Sequence, residues 1–101
     1  MNASNIAREI LFKEGYTSSE SFIRDSALII ALSKIDQYKA ECDSFKGKYG
    51  IEMEELKAAL HKNKGSEDFE KEENLEDWEF AVQAVRWWQE KADELRASED
   101  S

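Results

Sequence analysis

Proline is absent from this 101-residue chain, and glycine occurs only four times. Proline has no amide proton to give a helix or sheet and its ring clashes inside a helix, so its absence favours long, uninterrupted helices with few connections. The one cysteine, Cys42, excludes an internal disulfide and has no neighbours at metal-ligand spacing. Its expected place is that of a small buried apolar side chain. The one histidine, His61, leaves nothing from which to build a histidine cluster around a metal or a histidine-paired nucleophile. Near the end of a predicted helix, it is expected to sit at the negative end of the helix dipole or in solvent. No apolar run approaches the ~20 residues of a membrane span. The opening MNASNIAREI has neither the basic nor the apolar region of a signal peptide. The expectation is a cytoplasmic protein that does not engage membranes.

Chemical motifs are missing too. The sequence has no glycine-rich phosphate loop, no G-x-S-x-G and no C-x-x-C. Glu72 and Glu76 place two carboxylates on one helix face, but the Glu-x-x-His motifs of helix-bundle metal sites do not accompany them. A solvated acidic face is the expected role of these residues. Neither a catalytic residue nor a cofactor or metal ligand is expected, and the chain reads as a non-enzyme.

What is present is charge, unevenly spread. Hydrophobic residues make up 41% of the chain, enough for a modest core, and 37% charged residues give it a heavily solvated exterior. Length predicts one domain, 1–101. Residues 1–50 hold seven basic and seven acidic residues, while 51–101 hold seven and sixteen, so the whole net charge of −9 comes from the second half. An acidic surface repels phosphate backbones, which disfavours direct nucleic-acid binding and leaves room for a basic protein partner.

Periodicity predicts an all-α chain: a bundle or hairpin of about four helices with one long central helix. The first starts near Ser4 or Asn5, carries Ile6, Ile10 and Leu11, and closes at Gly15. Thr17 and Glu20 have the spacing of a capping box for the next helix. That helix runs from about Ser18 to Tyr49, with Leu28, Ala31, Ile35, Tyr38, Cys42, Phe45 and Tyr49 stepping by three and four as a heptad seam. Gly50 ends it. A short third helix spans roughly Glu52–His61, with Met53, Leu56 and Leu60 inward. Residues 62–73 are expected to form a loop anchored by Phe69. A last helix is expected to start near Asn74 as its cap, with Trp78, Ala81, Val85, Trp88, Ala92 and Leu95 as a matching seam. The two seams predict antiparallel packing of the long helices.

Two groups of residues stand out as candidate surfaces. Residues 22–32 are apolar on most sides, and a helix of about 30 residues is about 45 Å long, longer than a compact chain of this size is wide. Phe22, Ile23, Leu28, Ile29, Ile30 and Ile35 are therefore the expected dimerisation residues of a homodimer whose neutral half is residues 1–50. The acidic half, 51–101, carries Phe69, Trp78, Phe80 and Trp87, the candidate partner-binding residues. Trp78 lies on the seam and reads first as core. Phe80, Ala84 and Trp87 form an adjacent stripe that one seam cannot also bury, and Trp87 suits either core packing or an interface.

The stretch EILFKEGYTSSESFIRDSALIIAL resembles the two-helix part of ribbon-helix-helix proteins of the type II antitoxin kind, over about a quarter of the chain. The resemblance implies an intertwined dimer in which a strand before the first helix reads DNA. Here only residues 1–4 precede the expected first helix, and they carry no Lys or Arg, so the DNA-reading part of that pattern is not matched. KYGIEMEEL and DWEFAVQAVRWWQEK are similar to the C-terminal portions of small prokaryotic proteins placed in toxin–antitoxin pairs. The implied function is that of an antitoxin-like module, neutralising or scaffolding a basic, toxin-like partner. The alternatives are a purely structural self-associating helical protein and a DNA-binding transcriptional regulator.

Overall fold

The computed structural model describes residues 2–62 and 68–98, and among them the chain forms four α-helices and no strand: α1 (Ala3–Lys13), α2 (Ser19–Tyr49), α3 (Met53–Lys62) and α4 (Phe69–Ser98). The chain is all-α, as its periodicity predicts.

Each boundary has a local cause. Asn2 caps α1, its side chain accepting from the Ser4 amide at 2.9 Å, two residues ahead of the predicted start. At the other end the Tyr16 amide donates to the Leu11 carbonyl and the Gly15 amide to that of Phe12. That pattern needs a left-handed residue, and Gly15 supplies it with φ of 95°. The cap of α2 is Ser18, which accepts from the Ser21 amide at 3.1 Å, so the Thr17–Glu20 capping box does not form. Gly50, φ 66°, closes α2 with its amide on the Lys46 carbonyl. The Lys46 ammonium then reaches Glu52 at 2.7 Å across the turn into α3.

The fourth helix departs most from expectation. It begins at Phe69, with Asp68 accepting from the Lys71 amide at 3.2 Å. Residues 69–73 are therefore helix and not loop, and of the predicted 62–73 loop residues 63–67 lie outside the described residues. Asn74 is not a cap. One turn inside the helix, its side-chain amide donates to the Tyr49 hydroxyl at 2.6 Å. The Lys48 ammonium meets Glu70 at 3.0 Å beside it, so the end of α2 is tied to the start of α4.

From that junction α2 and α4 run antiparallel along their lengths, and α3 packs on α4. Phe45 and Tyr49 stack on Trp78 at 5.9 and 6.5 Å between ring centroids. Farther along, Ala31, Ile35 and Ala92 form the buried core, flanked by Leu28, Leu32 and Trp88. Alanines at 31, 81 and 92, all fully buried, let the two backbones approach closely. The seam is thus aromatic at one end and narrow at the other. Leu95 and Ser98 reach the region of Ser18, Ile23 and Ala27, so α2 does not overhang its neighbour. Its extra apolar surface lies sideways, on the face turned away from α4.

The molecule measures 64 × 32 × 19 Å with a radius of gyration of 20.5 Å, against ~13 Å for a compact chain of about 100 residues. The first helix contributes to this length: α1 has no buried residue, and Ile6, Ile10 and Phe12 are exposed. No helix among the described residues is long and apolar enough to cross a membrane.

Candidate partner-binding surface

Four aromatic residues of α4 are sorted by their angle around the helix. With 3.6 residues per turn, Phe69, Phe80 and Trp87, separated by eleven and seven residues, fall close to three and two whole turns apart. They form one stripe. All three are largely in water: Phe69 is 70% exposed, Phe80 64% and Trp87 51%. Trp78 is 3% exposed on the opposite side of the helix, sandwiched against α2, and it serves the hairpin rather than the surface. For Trp87, the alternative of core packing is resolved toward exposure.

The stripe opens onto a groove shared with α2. One depression of about 430 Å³ is lined by residues that include Glu41, Phe45, Asp77 and Phe80. A second, of about 600 Å³, is lined by residues that include Gln83, Ala84, Trp87 and Glu90. Tyr38 and Phe80 line both, with ring centroids 5.9 Å apart at 72°, so the two rings form a ridge between the depressions. Trp87 stands edge-on to Trp88 at 4.8 Å, which holds its ring upright. Lys91 lies 5.5 Å from the Trp87 ring centroid and 3.1 Å from Glu94; that ring therefore already accepts a cation on one face.

Charge around the groove has one dominant sign. Glu41, Asp77 and Glu90 line it, with Arg86 as the opposing charge, and Glu73 and Glu76 sit on the same side of α4 between Phe69 and Phe80. Burial pushes the Cys42 thiol up from its ordinary pKa, and Asp43 and Glu41 add to the effect, which disfavours the reactive thiolate. His61 is exposed in the last turn of α3. Among the described residues, no three His, Cys, Asp or Glu side chains converge as a metal site would require.

The predicted dimerisation residues divide as well. Ile23, Ile29 and Ile30 are exposed. Ile35 is buried in the α2–α4 core and Leu28 packs against it, so those two stabilise the hairpin instead. Phe22 is half-buried, edge-on to Tyr16 at 5.5 Å. Spacing places Phe22, Ser26, Ile29 and Ser33 on the side of α2 opposite the Ala31–Ile35 seam. These four uncharged residues span about three turns, with Asp25 beside them and Asp36 following on the same side.

Sequence reasoning missed Tyr38, Glu41, Asp77 and Glu90 as groove residues. Tyr38 lies on the predicted seam, and its contribution to an edge depends on how α4 is rotated. The exposed face of α1, Ile6 and Ile10, was visible as an apolar stripe. Periodicity alone does not say what covers such a stripe.

These features define an all-helical antiparallel hairpin with an exposed, acid-flanked aromatic groove. Compared with protein-family models, curated proteins and solved structures, the chain matches none.

Proposed function

We propose that this protein is a non-enzymatic, homodimeric binding module that engages a basic protein partner through the aromatic stripe of α4, in the manner of an antitoxin holding its toxin. The observation that carries the reading is the alignment of Phe69, Phe80 and Trp87 on one exposed face bordered by carboxylates. Aromatic side chains in water are costly to leave uncovered, and they bring large contact area with little rotamer entropy when a partner covers them. The surrounding negative charge selects a partner of opposite sign and speeds its encounter. The neutral half has a separate role. Ile6, Ile10, Phe12, Ile23, Ile29 and Ile30 are exposed. These six side chains are the apolar surface offered to a second copy, and a standard interface takes about 800 Å² from each side.

The test is affinity capture from the native host with the wild-type chain and with a Phe69→Ala, Phe80→Ala, Trp87→Ala variant. The wild type should retain a basic protein that the variant loses. Retention of the same proteins by both would overturn the assignment of the stripe. A second reading, a scaffold that only self-associates, is favoured by the isoleucine face alone. It expects no partner to slow hydrogen exchange in residues 77–91.

A further inference from the structure

Resting on the reading of α4 as the partner-binding surface, we infer that the occupant of the groove is an amphipathic α-helix with a basic edge, which docks alongside α2 and α4 as a third helix. Three observations specify this shape. The anchors lie on a continuous helix, Phe80 and Trp87 about 10 Å apart and Phe69 and Trp87 about 27 Å apart at 1.5 Å per residue. A second helix running beside α4 presents side chains at the same whole-turn intervals, at i, i+11 and i+18 if parallel or i, i+7 and i+18 if antiparallel, so its apolar positions meet the anchors in register. An extended strand repeats every two residues and gains its affinity largely from main-chain hydrogen bonds to an open sheet edge. Neither α2 nor α4 has such an edge, because helix interiors satisfy their own backbone groups.

The groove itself fits helix packing. The Tyr38–Phe80 ridge, with a depression of about 430 Å³ on one side and one of about 600 Å³ on the other, receives two successive apolar side chains of a helix, one on each side. Trp87 closes the far depression. Around these, Glu41, Asp77 and Glu90 are placed to meet Lys or Arg at the flanks of the docked helix. The same charges argue against a second copy as the occupant. The net −9 comes from residues 51–101, and facing α4 stripes would set like charges against each other across the contact.

The experiment measures fluorescence anisotropy of two labelled 18-residue Leu/Lys peptides of identical composition at 150 mM salt, titrated with the full chain. In one, leucine recurs at i, i+3 or i+4, i+7 and i+11; in the other, leucine and lysine alternate. The helical-period peptide should bind at least tenfold more tightly. Phe80→Ala with Trp87→Ala should weaken it tenfold or more, as should Glu41→Lys with Glu90→Lys. Circular dichroism confirms that each variant keeps its helices. Equal binding of both peptides, still lost in the aromatic variant, would overturn the helical occupant while leaving the stripe as a binding surface. Binding of the helical-period peptide unchanged in both the aromatic and the charge variants would overturn the occupant and the surface together. Conversion of the protein to a monomer by the aromatic substitutions would show that a second copy covers the stripe, and would overturn the inference.

Discussion

The two halves of this chain solve the same packing problem with opposite surpluses. Both long helices give one face to their shared seam, and both have apolar residues left over. On α2 the surplus is aliphatic, Ile23, Ile29 and Ile30, inside the neutral half of the sequence, where the nearest charges, Asp25 and Lys34 one turn away, are of opposite sign. On α4 it is aromatic, Phe69, Phe80 and Trp87, interleaved with carboxylates. An aliphatic face with balanced charge around it imposes little electrostatic penalty on meeting its own copy, whereas an acidic aromatic face opposes its copy and attracts basic chains. The difference teaches that exposed apolar area alone does not name a partner; the charge around it does.

The strongest way to break this comparison is to remove residues that only the hairpin uses. Trp78 and Phe80 are two positions apart on one helix, yet Trp78 is stacked on two rings and Phe80 is in water. Trp78→Ala should destabilise the fold by about 3–5 kcal/mol, a large share of the ~5–15 kcal/mol of a domain this size. Phe80→Ala should change stability by no more than ~0.5 kcal/mol. Urea denaturation followed by circular dichroism checks both, and equal losses would mean that the aromatic stripe belongs to the core.

At the narrow end of the seam the limit is backbone approach. Ala92 is fully buried against Ala31 and Ile35, so Ala92→Leu should overpack the contact and cost about 1–3 kcal/mol. The same substitution at Ala84, which lines the groove, should be tolerated far better; thermal unfolding of the two variants distinguishes them.

A smaller effect concerns Cys42, at the seam between the two ends. Because burial and neighbouring acids raise its pKa in the folded chain, the folded state holds the thiol proton to higher pH than the unfolded state does. Iodoacetamide at pH 8 should therefore modify Cys42 slowly in buffer and several times faster in urea. Equal rates would contradict its placement.

Much of this architecture was legible because it rests on spacing. The heptad seams of α2 and α4, the glycine closures at Gly15 and Gly50 and the antiparallel pairing all follow from positions along the chain. The starts of helices were less legible. Thr17, Ser18 and Ser19 each offer a capping hydroxyl, and geometry alone selects Ser18. Asp68 caps α4 from within a polar run that reads as loop, which hid the fact that Phe69 is helical and hence aligned with Phe80 and Trp87. Asn74 carries a capping side chain but uses it on Tyr49, a contact set by how α2 and α4 are paired. The groove depends on the rotation of one helix against another, which no single-helix pattern contains.

The most direct test of the account is the sedimentation-velocity mass of three proteins at micromolar concentration: the wild type, Ile29→Asp with Ile30→Asp, and Phe80→Ala with Trp87→Ala. The account predicts a dimer for the wild type and the aromatic variant, and a folded monomer for the isoleucine variant, with the dimer dissociation constant raised at least tenfold, about 1.4 kcal/mol. A monomeric wild type, or a dimer that survives the aspartates and falls apart when the aromatics are removed, would contradict it.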